Sequence, residues 1–173
     1  MQFEAGVHFN EIVSPAIDEY LAAEDALTAA AVSGDGLDAA KYKALRLGAA
    51  AAIFLHHFSD VIAHRPPENL PDFEGDVGKV RAWIAGYGTN EVGILRDTAD
   101  ALKHAVLDPN RQRDVQHSGL VLTTQRGYGM GRFGEGKYGG VDEVWILANS
   151  GMRPLTAVLR SVRNAWLAAL TVS

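Results

Sequence analysis

The sequence predicts a mainly α fold: a bundle of about four helices with a small antiparallel β-hairpin inserted before the C-terminal helix. Three observations point there. Apolar residues recur at three- and four-residue steps through most of the chain. The longest stretch interrupted by no breaker except one glycine, Leu37 to His64, reads as a central helix. From about residue 118 the helical period gives way to two short β-branched runs flanking a glycine-rich segment. At 173 residues the chain reads as one domain, 1–173, with 118–148 as the hairpin and its glycine-rich loop.

Taken in order, Phe3, Val7, Val13, Ile17, Tyr20, Leu21 and Leu27 keep helical spacing over residues 3–31. Ser14-Pro15 looks like a cap followed by proline in a first turn, so a kink or a second helix start is expected there. Ser33-Gly34-Asp35-Gly36 is a turn. In the central helix, Leu47, Ala51, Phe54, Phe58 and Val61 form one stripe, widened by Leu55 and Ile62 on one side and by Ala50 and Ile53 on the other. Gly48 and the alanines after it leave room for a neighbouring helix to approach. Pro66-Pro67 ends the helix.

A polar loop over 66–75 leads to a short helix, Asp76 to Ala85, with Val77, Val80 and Ile84 inward. Thr89 or Asn90 caps the next helix, 90–106, whose stripe is Leu95, Thr98, Ala99, Leu102, Ala105 and Val106. Gly119–Gln125 and Val141–Ala148 fit strands, and Asn149-Ser150-Gly151 is a turn signal. Leu155, Val158, Leu159, Val162, Trp166 and Leu170 make an amphipathic last helix. The expected core therefore contains Phe54, Phe58, Leu95, Leu102, Val162 and Trp166.

Composition narrows the function classes. Hydrophobic residues make up 47% of the chain, enough for a packed core. The net charge of −5 argues against a general nucleic-acid surface and leaves room only for a local basic patch. With no cysteine there is no disulfide, thiolate ligand or cysteine nucleophile. The acidic N-terminus does not read as a signal peptide, and no apolar run reaches the ~20 residues of a membrane span, so a cytoplasmic protein without membrane contact is expected.

Two constellations carry chemistry. On the central helix His57, Asp60 and His64 fall together on the Ile53 flank, while His56 points away. The helix after it carries Asp97, Asp100 and His104 at the same i, i+3, i+7 spacing. If the two helices pack side by side, His57 and His104 should meet with the aspartates around them. That set suits a divalent transition metal or acid–base work. It also suits a plain solvated flank, since charged residues beside an apolar stripe are what any amphipathic helix shows.

Arg96 followed by His104, on one helix of a mainly α domain, resembles the arginine-then-histidine signature of the HEPN family of nucleotide-binding and RNA-cleaving domains, with a longer gap than that family's. The resemblance implies Arg96 as a phosphate contact and His104 as the acid–base; Asp100, between them on the helix, is a catalytic candidate from the His/Asp set together with His57.

The second constellation is glycine-rich. Gly129, Gly131 and Gly134 have the Gly-x-Gly-x-x-Gly spacing, but the segment runs from strand to strand and so lacks the helix N-terminus a dinucleotide site uses. Arg132, with Arg126, Lys137 and aromatic residues, would suit gripping a phosphate or stacking on a base. An ordinary loop tip has the same composition. Three readings stay open: an interaction module, most simply a homo-oligomer; a His/Asp-dependent and metal-dependent or metal-free enzyme; and a nucleotide or nucleic-acid binder.

Overall fold

The computed structural model describes residues 4–104, 107–108, 113–125, 137 and 141–171. Over these the chain is mainly helical, with a small three-stranded antiparallel sheet. The first helical rod runs without a break from α1 (Ala5–His8) through a π turn (Phe9–Val13) into α2 (Ser14–Ser33). The widened turn has a local cause. Pro15 has no N–H to offer the preceding turn, and the Ser14 N–H reaches back to the Phe9 carbonyl instead. The irregularity expected at Ser14-Pro15 is thus a π turn inside one rod. Gly34 and Gly36, both at positive φ, turn the chain into α3 (Leu37–His64).

α3 is the centre of the molecule and packs on α2, α4, α5, α6 and the sheet. Its buried residues are Ala44, Gly48, Ala51, Ala52, Leu55, His56, Phe58, Ser59, Ile62 and Ala63. The helix is therefore rotated toward the Leu55–Ile62 side of its apolar arc, and Phe54, expected in the core, is 42% exposed. Close packing explains the choice. A Cβ at Gly48 would lie 2.7 Å from Leu155 Cδ2 and 3.0 Å from the Tyr20 ring, so α2 and α6 press on the small-residue side. Leu102 is likewise only partly buried, whereas Phe58, Leu95, Val162 and Trp166 lie in the core. Phe58 sits at its middle, with Phe9 and Trp166 ring centroids at 5.0 and 4.7 Å. By length and composition α3 could cross a membrane, although nearly half of its most apolar window is buried against its neighbours.

α4 (Val77–Ala85) starts at Asp76, whose carboxylate accepts from the Gly78 and Lys79 N–H groups at 2.7 and 3.1 Å. α5 (Val92–His104) follows Thr89, whose hydroxyl accepts from the Glu91 N–H. In the sheet, β1 (Val121–Gln125) and β2 (Asp142–Ala148) pair antiparallel, from Val121 opposite Ile146 to Gln125 opposite Asp142. A third strand, β3 (Gly151–Pro154), pairs with β2 and runs straight into α6 (Leu155–Thr171). The sequence reading passed over β3, because Gly151-Met152-Arg153-Pro154 shows no alternation and ends in proline. An outer strand tolerates both.

One polar tie crosses the core. Glu24 of α2 is 2% exposed. Its Oε1 accepts from the Tyr20 hydroxyl at 2.8 Å and from the β2 amide of Val144 at 2.9 Å. The Lys137 ammonium donates to Glu24 Oε2 and to the Glu24 carbonyl, each at 2.7 Å, and to Thr28 Oγ1 at 2.6 Å. On the sheet side, burial raises the pKa of Glu143, whose carboxylate accepts from the Lys137 amide at 3.1 Å.

Candidate functional site

Polar side chains collect where α3, α4 and α5 meet. Helical spacing brings His56, His57 and Asp60 to one edge of α3, and Asp97, Asp100 and Lys103 to the facing edge of α5. α4 contributes Arg81, and the segment after α5 contributes Arg113 and Asp114. That segment is held by the β2–β3 turn, where the Asn149 amide donates to the Asp114 carbonyl at 2.9 Å and Asn149 Nδ2 to the Arg113 carbonyl at 3.0 Å.

The innermost member is His56, 6% exposed. Arg81 donates toward its Nε2 at 3.4 Å, and Asp100 Oδ1 stands 3.7 Å from the same nitrogen. Burial, followed by the Arg81 charge, depresses its pKa to about 4 against the pull of Asp100 and Asp60. The ring is therefore neutral near pH 7. Burial alone would raise the Asp100 carboxyl, but the hydrogen bond from Arg113 and the surrounding positive charge hold it below its usual value. Arg81 is lowered by burial, with Asp60 opposing.

A pH prediction follows. The folded pKa of His56 lies below its unfolded value of 6.5, so the unfolded chain takes up its proton first as pH falls. The stabilisation is complete above the unfolded pKa and is lost between about pH 6.5 and 4, amounting to about 3 kcal/mol. Chemical denaturation across that window should show His56→Gln flattening the slope of stability against pH. An unchanged slope would mean that His56 is not held neutral.

The outer member is His57, whose side chain is 43% exposed. Its Nδ1 lies 2.8 Å from Asp60 Oδ2, and its Nε2 lies 3.1 Å from Lys103 Nζ. With the Nδ1 proton on Asp60, the Nε2 lone pair faces Lys103. The third member is Asp97, 2% exposed. Its Oδ1 accepts from Arg96 Nε at 2.7 Å and from Arg113 at 3.4 Å, and its Oδ2 accepts from the Asp114 amide at 2.8 Å. The same Arg113 nitrogen donates to Asp100 Oδ2 at 2.7 Å.

The expected residues are thus partly assembled. His57 and Asp60 meet, and Asp97 and Asp100 share Arg113, all at hydrogen-bonding rather than coordination distances. His64 is exposed at the end of α3, its ring close to Gly75. His104 is exposed in the last turn of α5 and joins none of these contacts, so Lys103 is the α5 residue that meets His57. Among the described residues no group of three or more His, Cys, Asp or Glu side chains is arranged to hold a metal ion. Gly129, Gly131, Arg132 and Gly134 lie outside the described residues.

Sequence reasoning missed His56, Arg81, Lys103 and Arg113. His56 was discoverable only by choosing the Leu55–Ile62 side of α3 as the buried one. Arg81 and Arg113 carry no spacing signal, since their partners are on other elements. No family model, curated protein or solved structure matches the chain.

Proposed function

We propose that the protein is an acid–base enzyme in which His57 transfers the proton, Asp60 orients it and Lys103 supplies positive charge. The observation that supports this is the line from Asp60 Oδ2 through the His57 ring to Lys103 Nζ, with steps of 2.8 and 3.1 Å. A carboxylate on Nδ1 fixes the tautomer that leaves Nε2 as the base. Nε2 would take a proton from water or a substrate hydroxyl as that oxygen attacks. Lys103, on a flexible stem, would leave Nε2 for the negative oxygen that develops on the substrate, and the imidazolium would return its proton to the leaving group. Arg81, Arg96 and Arg113 add positive charge on the same side, favouring an anionic substrate.

Turnover of a p-nitrophenyl ester and of bis(p-nitrophenyl) phosphate tests the proposal. His57→Ala should lower the rate roughly 10²–10⁴-fold, and Asp60→Asn should lower it while His104→Ala leaves it near wild type. A wild-type rate no faster than buffer on both substrates, or a His57→Ala rate equal to wild type, would end the acid–base reading.

A second reading, self-association, is favoured by the outward side of α3. Tyr42 is 76% exposed and Phe54 42%, with Ala49, Ala50 and Ile53 half-buried between them. A second copy of the chain could lay the same helix across these small residues. Sedimentation velocity should then show a dimer that Phe54→Ser dissociates, and a wild-type monomer would exclude this face. On the same footing, we read the helices as a bundle of about four around α3, with β1 and β2 as its inserted hairpin.

A further inference from the structure

A pocket of about 310 Å³ opens between α5 and the β2–β3 turn, lined by Gly93, Arg96, Asp97, Arg113, Asp114 and Asn149. Its volume is at the lower end of the roughly 300–1,000 Å³ of small-molecule sites. Its chemistry is set by Asp97. That buried carboxylate receives Arg96 Nε at 2.7 Å, Arg113 at 3.4 Å and the Asp114 amide at 2.8 Å, so both of its oxygens are occupied. It serves to hold two guanidinium groups at one wall of the pocket. Arg96 spends only Nε on Asp97, which leaves its two terminal nitrogens, the planar fork that matches a tetrahedral oxyanion. Arg113 is anchored a second time, by Asp100 at 2.7 Å, so its position is fixed before any ligand arrives.

Two further features fit the same ligand. Gly93 stands in the first turn of α5, where N–H groups have no intrahelical acceptor, and nothing lies within 4 Å of where a Cβ would be. That side of the wall is therefore open to a ligand. Asn149 has its Nδ2 and main-chain N–H already committed to Arg113 and Asp114, so the amide is fixed in the wall. Among the described lining residues the Asp114 carboxylate opposes an anion, while Asp97 is already matched by its donors.

Position adds the last argument. Arg96 and Lys103 are seven residues apart, which places them on one side of α5 about 10 Å apart along its axis. A group held at Arg96 and Arg113 would leave the rest of its molecule free to reach His57. We infer that this pocket binds the phosphate group of a small phosphorylated substrate, an assignment that rests on the acid–base reading only for its word substrate. The overall negative charge and the Asp114 carboxylate in the pocket wall favour a small molecule over a polyanion.

The test is a ¹⁵N NMR titration of the full chain, at constant ionic strength, with inorganic phosphate and in parallel with adenosine monophosphate. Both should move the Gly93 amide and Arg96 Nε signals saturably. Arg96→Gln should weaken binding roughly tenfold, and Asp114→Asn, which removes the opposing charge, should tighten it several-fold. Arg113 is left intact because it also holds Asp97 and Asp100. His57→Gln should leave phosphate affinity unchanged. No saturable shift, shifts indifferent to both Arg96→Gln and Asp114→Asn, or binding of the nucleotide but not of phosphate would overturn the assignment. Saturable phosphate binding with turnover that ignores His57 would defeat the acid–base reading and leave the pocket standing. Turnover that needs His57 without phosphate binding would do the reverse.

Discussion

Replacing Glu24 with alanine should lower the unfolding free energy by about 3–5 kcal/mol, measured by chemical denaturation at neutral pH. The carboxylate is 2% exposed and joins α2 to both β2 and Lys137. Its loss would leave the Val144 N–H and the Tyr20 hydroxyl without their acceptor in the core, and would take from the Lys137 ammonium its anionic partner while the Glu24 carbonyl and Thr28 Oγ1 remain to it. Tyr20 is itself held neutral, first by burial and then by the Glu24 charge, which together raise its pKa well above 10.0. Removing the unpaired ammonium as well, in the double variant Glu24→Leu with Lys137→Met, should recover only the electrostatic part of the loss, since the Val144 N–H and the Tyr20 hydroxyl stay unpaired. A Glu24→Ala variant within about 1 kcal/mol of wild type would show that this tie does not hold α2 to the sheet.

Phe58→Ala should cost a comparable amount, about 3–5 kcal/mol. The ring is fully buried and packs on Phe9 and Trp166, so its removal leaves a cavity lined by aromatic groups on two other helical segments. The informative partner is Phe54→Ala. Phe54 lies one turn earlier on α3 but is exposed, so its truncation should change stability by less than about 1 kcal/mol. Equal losses at the two positions would mean that α3 faces the core along the Phe54–Phe58 line instead of the Leu55–Ile62 side.

That contrast marks where sequence reasoning stops. Local information was sufficient for the elements other than β3. The span Leu37–His64 is bounded by a Gly-Asp-Gly turn and a proline pair, and α3 has those same bounds. The spacing of Val77, Val80 and Ile84 reads as a short helix from Asp76, whose carboxylate caps the amides after it. The two β-branched runs pair as strands, one or two residues shorter than expected at their starts. Each of these rests on contacts within a few residues, which the chain carries wherever it goes.

The orientation of α3 was not legible, because its apolar arc is broader than any one neighbour needs. Tyr20 and Leu155, distant in sequence, select the Gly48 side, and that rotation turns Phe54 outward and His56 inward. The site follows from the same step. Sequence spacing found His57 with Asp60, and Asp97 with Asp100, since each pair lies on one helix. It could not join Lys103 to His57, Arg81 to His56 or Arg113 to two aspartates, and it expected His104 where Lys103 stands. Glu24 looks like any surface glutamate until β2 and Lys137 close over it. Helix and strand were legible locally for every element except β3, as was the set of polar residues on each helix edge. Which edge faces a partner is fixed by packing, because burial and the pairing of charges depend on groups that other elements bring.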